Sequence, residues 1–425
     1  MIRSVVEHQQ AVTALLQRSS NYSDASQDLA LADARLRVLA VDIPAPGNLP
    51  PFDNSQMDGY AVHAADLGGG PLHLRVAAPV PAGIRPPALE PGTAAPIMTG
   101  AMIPDGTGAV VPIERATPSQ FCPAYDTGTD FWVDLPDAAP GSFIRARGSD
   151  LAEGSLALPA GTLLAAPQLG LLAACGVGSV SVRSRFTVLL LSTGDEVAEP
   201  GTELAPGQIY DANTTLLEAA LHEAGAVVIR HRAMSDDPDL LREALEGLER
   251  ESVNLILSTG GISQGAYEVV KQALEDSSVD FLTVAMQPGG PQAIGAIGDV
   301  PFLGFPGNPV SALVSFEMFL RPALTRLVGA PAPRIALQAR LESALESPAA
   351  KHQVRRGLYA DGAVSLVGGT GSHLLHALAG SNALVHVPVG QSSAEAGDTV
   401  TIWLIDPAAG TAVPATSTPS TKEKQ

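Results

Sequence analysis

The sequence predicts a multidomain α/β plus β protein: a doubly wound α/β domain, an inserted β domain before it in the chain and a small β domain after it. Three observations lead to this prediction. Continuous apolar runs end in glycine-rich polar loops, helix-like stretches follow those loops, and short β-like runs separated by Pro and Gly fill the regions outside. A chain of 425 residues is also too long for one hydrophobic core.

The α/β domain is predicted from three strand–loop segments. VNLILSTGGISQG at 253–265 begins with apolar residues without polar alternation, which is typical of a strand buried on both faces of a parallel sheet. FTVLLLSTGDE at 186–196 and VPFLGFPGNPVS at 300–311 repeat the pattern. Because ligands of such sheets bind beyond the carboxyl ends of the strands, we expect the three loops to meet at one rim.

Helix-like stretches alternate with these strands. Residues 213–221 have Asn213 as a candidate cap and Gly225 as a stop signal. A second helix is predicted to open at Asp236-Asp237-Pro238, with leucines on one face. A long apolar helix is predicted from Pro309 to Val328, because Asn308 followed by Pro309 is a typical helix start.

The loops also indicate an anion site. Gly260 and Gly261 let backbone N–H groups approach a ligand, and Ser263 adds a hydroxyl, which favours phosphate or oxyanion binding. Carboxylates around a phosphate loop indicate Mg²⁺, and the candidates are Asp195, Glu196, Asp211, Asp236, Asp237 and Glu268. The alternative is structural: the glycines only make a tight turn, and the carboxylates only stabilise helix N-termini.

The predicted domain boundaries follow the changes in pattern. The inserted region has short β-like runs. The C-terminal region has alternating apolar and polar runs, which predict a barrel or a sandwich. The tail has few apolar residues that could be buried in a core. The assignments are 1–46 and 140–184 for a linking and dimerisation domain that begins with an amphipathic helix in 1–20, 47–139 for the inserted β domain, 185–329 for the α/β domain, 330–407 for the C-terminal β barrel and 408–425 for a disordered tail.

Two segments near the inserted domain carry further polar chemistry. PFDNSQMDGY at 51–60 packs several polar side chains beside a glycine, and turn chemistry alone explains many of them. In FIRARGSDL at 143–151, Arg145 and Arg147 would give positive charge to a phosphate or oxyanion. An ordinary surface ion pair is the competing explanation.

Composition excludes several classes of protein. The formal net charge of −19 argues against non-specific nucleic-acid binding. Cys122 and Cys175 are far apart and have no zinc-like spacing, so neither a zinc site nor a disulfide is expected. No apolar run approaches a membrane span and no signal-peptide pattern is present, so we expect a soluble cytoplasmic protein.

Taken together, the motifs closely resemble those of the molybdopterin molybdenumtransferase family, which includes bacterial molybdenum insertases and the gephyrin E domain. The resemblance runs from Ser4 to the C-terminal β region. Eight motifs occur in family order: PFDNSQMDGYAV, IMTGAMIPDG, RARGSDL, LSTGDEV, PGQIYDAN, SDDP, STGGISQG and GFPGNPVSA. The resemblance implies an elongated homodimer of four-domain subunits, with a site shared between the α/β domain of one subunit and the inserted β domain of the other.

The resemblance also implies a reaction. Adenylylated molybdopterin loses AMP in a Mg²⁺-dependent step, and molybdate is delivered to the dithiolene sulfurs; the molybdopterin adenylyltransferase is a further expected partner. The implied catalytic residues are Asp58, Thr99, Asp150, Glu196, Asp236 and Glu268, with Glu196, Asp236 and Glu268 as metal ligands. The expected substrate-binding residues are Arg145, Arg147, Ser192, Thr193, Gly194, Thr259, Gly260, Gly261, Ser263, Pro306, Gly307, Asn308 and Ser311.

Several positions depart from the family pattern. Gln287-Pro288-Gly289-Gly290-Pro291 stands where the family commonly has KPGKP, and Thr283 stands at a further lysine position. Glu268 replaces the usual Asp, and Ala266 an acidic residue. We expect Arg145, Arg147 and Lys271 to compensate for the missing cations. The alternative function is that of a non-catalytic paralogue, which binds molybdopterin or finished cofactor as a carrier or scaffold.

Overall fold

The computed structural model describes residues 2–18, 22, 25–121, 130–194, 196–232, 237–246, 253–261, 269–275 and 277–405. The chain forms two compact units. The first, the sheet-and-barrel unit, comprises Met1–Gln27, Leu36–Val38 and Val182–Gln425. The second, the inserted unit, comprises Asp28–Arg35 and Leu39–Ser181. The predicted disordered tail and Cys122 lie outside the described residues.

The helices of the described residues are mostly short. They are α1 Val5–Gln17, α2 Ala166–Ala174, α3 Ala212–Glu223, α4 Pro238–Glu246, α5 Val269–Ala273, α6 Pro309–Ser315, α7 Arg321–Val328 and α8 Leu375–Ala379. Helix α1 confirms the amphipathic helix predicted at the N-terminus. It begins with a capping box in which Ser4 and Glu7 bond each other's backbone N–H groups.

The strands are listed here in chain order. They are β1 Ile2–Arg3, β2 Ser26–Ala30, β3 Ile43–Pro44, β4 Asn54–Ser55, β5 Gly59–His63, β6 Leu72–Val76, β7 Thr93–Ile97, β8 Thr107–Pro112, β9 Trp132–Leu135, β10 Ile144–Arg145, β11 Leu156–Leu158, β12 Ser179–Arg183, β13 Thr187–Ser192, β14 Val197–Ala198, β15 Ile209–Tyr210, β16 Val227–Arg232, β17 Leu255–Thr259, β18 Asp280–Val284, β19 Met286–Gln287, β20 Pro291–Ile297, β21 Val300–Phe305, β22 Ala336–Leu341, β23 Leu345–Glu346, β24 His352–Ala360, β25 Ala363–Leu366, β26 Ala383–Val387, β27 Ser393–Ala394 and β28 Thr399–Leu404.

A seven-stranded sheet organises the sheet-and-barrel unit, in the order β1-β18-β20-β21-β17-β13-β16. Strands β21, β17, β13 and β16 are parallel, which confirms the predicted α/β domain. Strand β20 runs antiparallel to both of its neighbours, β18 and β21, whereas β18 is parallel to β1. Neither β18 nor β20 was predicted as part of this sheet. The register pairs Ser192 with Thr259 and Thr259 with Phe305, so three predicted loops leave the sheet at one edge.

Both faces of this sheet are covered, which explains the continuous apolar runs. One core packs alternate residues such as Leu190 and Leu257 with residues of α1, α3, α6 and α7. The other packs Leu189 and Ile256 with residues of α4 and α5. A strand between two helical layers has no solvent-facing side, so polar alternation is absent.

The long helix predicted after β21 has an interruption. Residues Phe316–Leu320 form a π-helical segment between α6 and α7. This segment contains Glu317, which is 1% exposed and whose carboxylate accepts hydrogen bonds from Arg334 at 2.9 and 2.7 Å. The helical character predicted for 309–328 is therefore confirmed, but not as one uninterrupted α-helix.

The C-terminal β region is a barrel. Strands β24, β25, β22, β28 and β26 follow one another in the sheet, and a further pairing of β24 with β26 closes the ring. Its core includes Leu341, Val364, Val385 and Ile402. Closure confirms the barrel and removes the sandwich alternative.

The inserted unit contains a five-stranded sheet in the order β8-β5-β7-β6-β9. The short β-like runs predicted for the inserted region are confirmed, and β6, β8 and β9 are three of them. The predicted fold class is thus confirmed, whereas the domain boundaries stay predictions. Among the described residues, no helix is both long and apolar enough to cross a membrane.

Candidate functional site

An open cleft of about 850 Å³ lies at the carboxyl edge of the parallel strands. This volume is within the usual range for a small-molecule site, about 300–1,000 Å³. The structure brings most of the predicted loop residues together there. Those lining the cleft are Ser192, Thr193, Gly194, Glu196, Thr259, Gly260, Gly261, Pro306, Gly307, Asn308 and Ser311. The predicted residues Ser263, Asp236 and Glu268 lie outside the described residues.

Glycines are needed where the loops approach one another. Gly261 has a φ of +65°, and a Cβ there would lie 2.8 Å from a methyl carbon of Val270. The N–H of Gly260 donates to the carbonyl of Phe305 at 3.1 Å, so it is used within the protein rather than for a ligand. Gly260 therefore contributes to the cleft through its shape.

Glu196 provides a free carboxylate in the cleft. Its side chain is exposed and lies over Gly194, because a Cβ on Gly194 would be 2.7 Å from Glu196 Oε2. None of the described residues donates a hydrogen bond to this carboxylate, whereas the other described carboxylate of the cleft, Asp211, is fully engaged. Asp211 accepts from Ser192 Oγ at 2.9 Å and from Thr214 N and Oγ1 at 2.9 and 2.6 Å.

The bond from Thr214 N makes Asp211 the N-cap of α3, so the prediction that Asn213 caps this helix is wrong. Asn213 is the second residue of the helix, and it lines the cleft. Its side-chain amide nitrogen donates to two segments that are distant in sequence, to Thr259 Oγ1 at 3.0 Å and to Gly307 O at 2.6 Å. The local sequence gave no sign of this role, because the two partners come from distant segments.

Three positions that depart from the family pattern also line the cleft, Thr283, Gln287 and Gly290, together with Pro288, Gly289 and Pro291 of the same turn. Gln292, which is 1% exposed, holds this turn by donating to Gly289 O at 2.7 Å and Ser315 Oγ at 2.8 Å. Gln287 accepts a hydrogen bond from the buried Gln353 at 2.9 Å. The turn is therefore well ordered by hydrogen bonds but carries no positive charge.

Lys351 is the cationic side chain that lines the cleft in the described part of the chain. It directly precedes β24, and β19 pairs with β24 so that Gln287 lies opposite Gln353. Thr370 and Ser372 of the same C-terminal region also line the cleft. None of these three residues was predicted from the sequence. Lys271, expected to compensate for the missing lysines, lies on α5 and is not among the described lining residues.

The remaining predicted residues belong to the inserted unit. Asp58 Oδ1 accepts hydrogen bonds from Thr99 N and Thr99 Oγ1, each at 2.7 Å, so the structure brings this pair together. The backbone and side-chain hydrogen bonds from Thr99 lower the pKa of Asp58. These bonds favour the carboxylate over the acid.

The two predicted arginines of the inserted unit have nearby partners. Arg145 donates to Asn54 Oδ1 at 3.4 Å, and Arg147 forms an exposed 3.8 Å ion pair with Glu153. Asp150 is exposed. That these residues share a site with the cleft, as the resemblance implies, stays a prediction.

A strand-end cleft lined by hydroxyls, one free carboxylate and one ammonium group is typical of α/β proteins that have a small-molecule site. Family models match nearly the whole chain: "MoeA N-terminal region (domain I and II)" over residues 3–176, "Probable molybdopterin binding domain" over 189–326 and "MoeA C-terminal region (domain IV)" over 338–405. The matches place the cleft in the second of these regions and Lys351 in the third.

Individual relatives agree with these matches. The chain is 41% identical to molybdopterin molybdenumtransferase 2 of Mycobacterium tuberculosis, over 95% of this chain and 99% of the relative. It is 36% identical to molybdopterin molybdenumtransferase of Haemophilus influenzae, over 88% of this chain and 92% of the relative. A crystal structure of the molybdopterin biosynthesis moeA protein from Pyrococcus horikoshii OT3 aligns with a TM-score of 0.80 at 27% identity. The alignment covers 95% of this chain and 100% of that protein. The chain therefore belongs to the molybdopterin molybdenumtransferase family.

Proposed function

We propose that this enzyme of molybdenum cofactor biosynthesis transfers molybdenum from molybdate to adenylylated molybdopterin, with release of AMP. The observation that carries the proposal is the cleft itself. It lies in the probable molybdopterin binding domain, it has room for a nucleotide-sized ligand, and it is lined by hydroxyls and one lysine. A phosphate-bearing pterin requires such donors, since the overall charge of −19 repels an anion unless it is held locally.

Each described side chain has a proposed task. The ammonium of Lys351 and the hydroxyls of Thr193, Thr259 and Ser372 would bind phosphate and molybdate oxygens. Glu196 would orient water or hold a cation beside the phosphate. Since phosphoryl transfer needs little covalent chemistry from the protein, positioning and charge stabilisation are the expected sources of catalysis.

Mg²⁺ is the proposed metal, and the donor chemistry of the cleft fits it. No group of three or more His, Cys, Asp or Glu side chains in the described part of the chain is arranged to hold an ion. Mg²⁺ does not need one, because it commonly binds through one or two carboxylates together with phosphates and waters. Glu196 would hold it, with Asp236 and Glu268 as the further predicted ligands. When bound, the ion neutralises charge on phosphate oxygens.

We also propose that the chain is a cytoplasmic homodimer, in which Asp58, Thr99, Asp150, Arg145 and Arg147 of one copy complete the cleft of the other. The resemblance of the motifs supports this arrangement. The molybdopterin adenylyltransferase is the proposed partner that supplies the substrate. Sedimentation of the purified protein would measure the dimer directly.

The proposed reaction is tested by mixing purified protein with adenylylated molybdopterin, molybdate and Mg²⁺. We expect AMP release and a product that restores activity to a cofactor-free molybdenum enzyme. Glu196→Gln keeps the size of the side chain but removes its charge, and should slow AMP release by about 100-fold if the charge acts in the transition state. Unchanged AMP release in this variant would show that Glu196 has no such role.

A carrier or scaffold function remains the second proposal, because Thr283, Gln287 and Gly290 leave their part of the cleft without cations. The same mixture separates the two functions. A carrier would retain bound molybdopterin or finished cofactor after gel filtration but would release no AMP.

A further inference from the structure

Asn213 joins two walls of the cleft through one amide group. Its Nδ2 donates to Thr259 Oγ1 at 3.0 Å and to Gly307 O at 2.6 Å. Thr259 is the last residue of β17, and Gly307 follows the end of β21. One side chain of α3 therefore bonds to the ends of two neighbouring parallel strands.

The partners fix the orientation of this amide. A backbone carbonyl can only accept, so the atom that faces Gly307 O must be the amide nitrogen and not its oxygen. Both N–H bonds of Nδ2 are then in use, and Oδ1 is buried without a partner among the described residues. A residue at this position must therefore donate a hydrogen bond to Gly307 O, which neither Asp nor Ala does.

No side chain separates the two loops that Asn213 joins. A Cβ built on Gly307 would lie 3.4 Å from the Cα of Gly260, so the backbones approach closely. Thr259, Gly260 and Gly307 all line the cleft, as Asn213 does. The strand ends themselves are joined by the pairing of Thr259 with Phe305 and by the bond from Gly260 N–H to Phe305 O. Beyond them Asn213 adds a side-chain link between the two walls, where glycines offer no side-chain packing.

We propose that Asn213 is a positioning residue, which holds the Thr259–Gly261 and Pro306–Asn308 loops at the separation that the anionic ligand requires. The identity of that ligand rests on the proposed function; the role of the bridge does not. Because Asn213 acts through the loops, its loss weakens ligand binding more than it slows the reaction of bound ligand.

Asn382 offers a matched control. It also makes two backbone hydrogen bonds, accepting from Tyr359 N at 2.7 Å and donating to Tyr359 O at 3.0 Å. It is buried in the C-terminal barrel and is not among the described lining residues of the cleft. Asn382→Ala thus removes bonds of comparable length without touching the proposed bridge.

The first measurement is hydrogen exchange by mass spectrometry on the full chain. In Asn213→Ala, exchange should rise in both loops together, and in Asn382→Ala it should rise only near Tyr359. An increase in neither loop, or in one alone, would overturn the proposal. Thermal unfolding of each variant identifies any that fail to fold, and Asn213→Ser then replaces Asn213→Ala.

The second measurement is AMP release from adenylylated molybdopterin. Loss of the bridge should raise KM by about tenfold in Asn213→Ala while kcat stays within about threefold. Asn213→Asp should raise KM further, because it places an oxygen against Gly307 O. Equal KM values for Asn213→Ala and Asn382→Ala would contradict the positioning role. If the wild-type protein released no AMP, the proposed function would fail while the exchange comparison still decided the role of Asn213.

Discussion

At the scale of single residues, the charge balance of the cleft depends on Lys351. Replacement by Met keeps most of the apolar stem but removes the ammonium group. We expect Lys351→Met to weaken molybdate binding by about 10- to 100-fold, since a charge-assisted hydrogen bond is worth about 1.5–3 kcal/mol. Calorimetric titration with molybdate measures the change.

Lys271 provides the comparison for Lys351. It is also exposed, but it lies on α5 and is not among the described residues that line the cleft. Lys271→Met should leave molybdate affinity unchanged. Equal losses in the two variants would show that general electrostatics, and not a contact within the cleft, accounts for the effect of Lys351.

Residue by residue, the sequence predicted the loops better than the cations. The loop residues were predictable because apolar runs and glycines indicate the strand ends locally, as they do at Ser192, Thr259 and Gly307. Lys351 was missed because it comes from the C-terminal region, and the pairing of β19 with β24 places it beside the cleft. A contact between distant segments leaves no local pattern.

At the scale of elements, the π-helical segment contains a buried charge network. Glu317 is 1% exposed, and its partners Arg321 and Arg334 have side chains that are 9% and 12% exposed. Glu317→Ala would leave two buried guanidinium groups without this counter-charge. We expect it to lower the free energy of unfolding by about 3–5 kcal/mol, measured by denaturant titration.

An exposed ion pair on another helix is the control for this network. Asp239 and Arg242 of α4 form a pair whose side chains are 85% and 42% exposed. Asp239→Ala should lower the free energy of unfolding by less than about 1 kcal/mol, because solvent already screens the pair. A comparable loss in both variants would mean that burial of Glu317 is not the cause.

The sequence predicted elements well where the local pattern is strong, as in the helical spacing of α1 and the continuous apolar run of β13, and less well where long-range pairing decides. The antiparallel strand β20 and its neighbour β18 extend the parallel sheet through contacts that no local pattern specifies. The cap of α3 was misassigned by two residues, because Asp211 and Asn213 are both good caps and only the bond to Thr214 N distinguishes them.

At the scale of the whole molecule, buried histidines couple stability to pH. His8 of α1 is 0% exposed, and its ring lies edge-on to that of Phe319 with 4.6 Å between the ring centroids. Neither ring nitrogen of His8 has a hydrogen-bond partner among the described residues. Burial, assisted by the charge of Arg3, lowers the pKa of His8 from 6.5 to about 4. Burial, with a smaller contribution from His352, lowers the pKa of His386 to about 3.

A folded-state pKa below the unfolded value means that protonation favours the unfolded chain. This stability is therefore fully present above pH 6.5 and is lost as the pH falls toward 4. For His8 the loss between pH 7 and 4 should be about 3 kcal/mol, at 1.36 kcal/mol per pKa unit. His8→Leu, which cannot be protonated, should show a correspondingly smaller fall in the denaturant midpoint over this range. His222→Leu, at an exposed position of α3, should follow the wild-type curve. If His8→Leu also followed that curve, protonation of His8 would not contribute to acid unfolding.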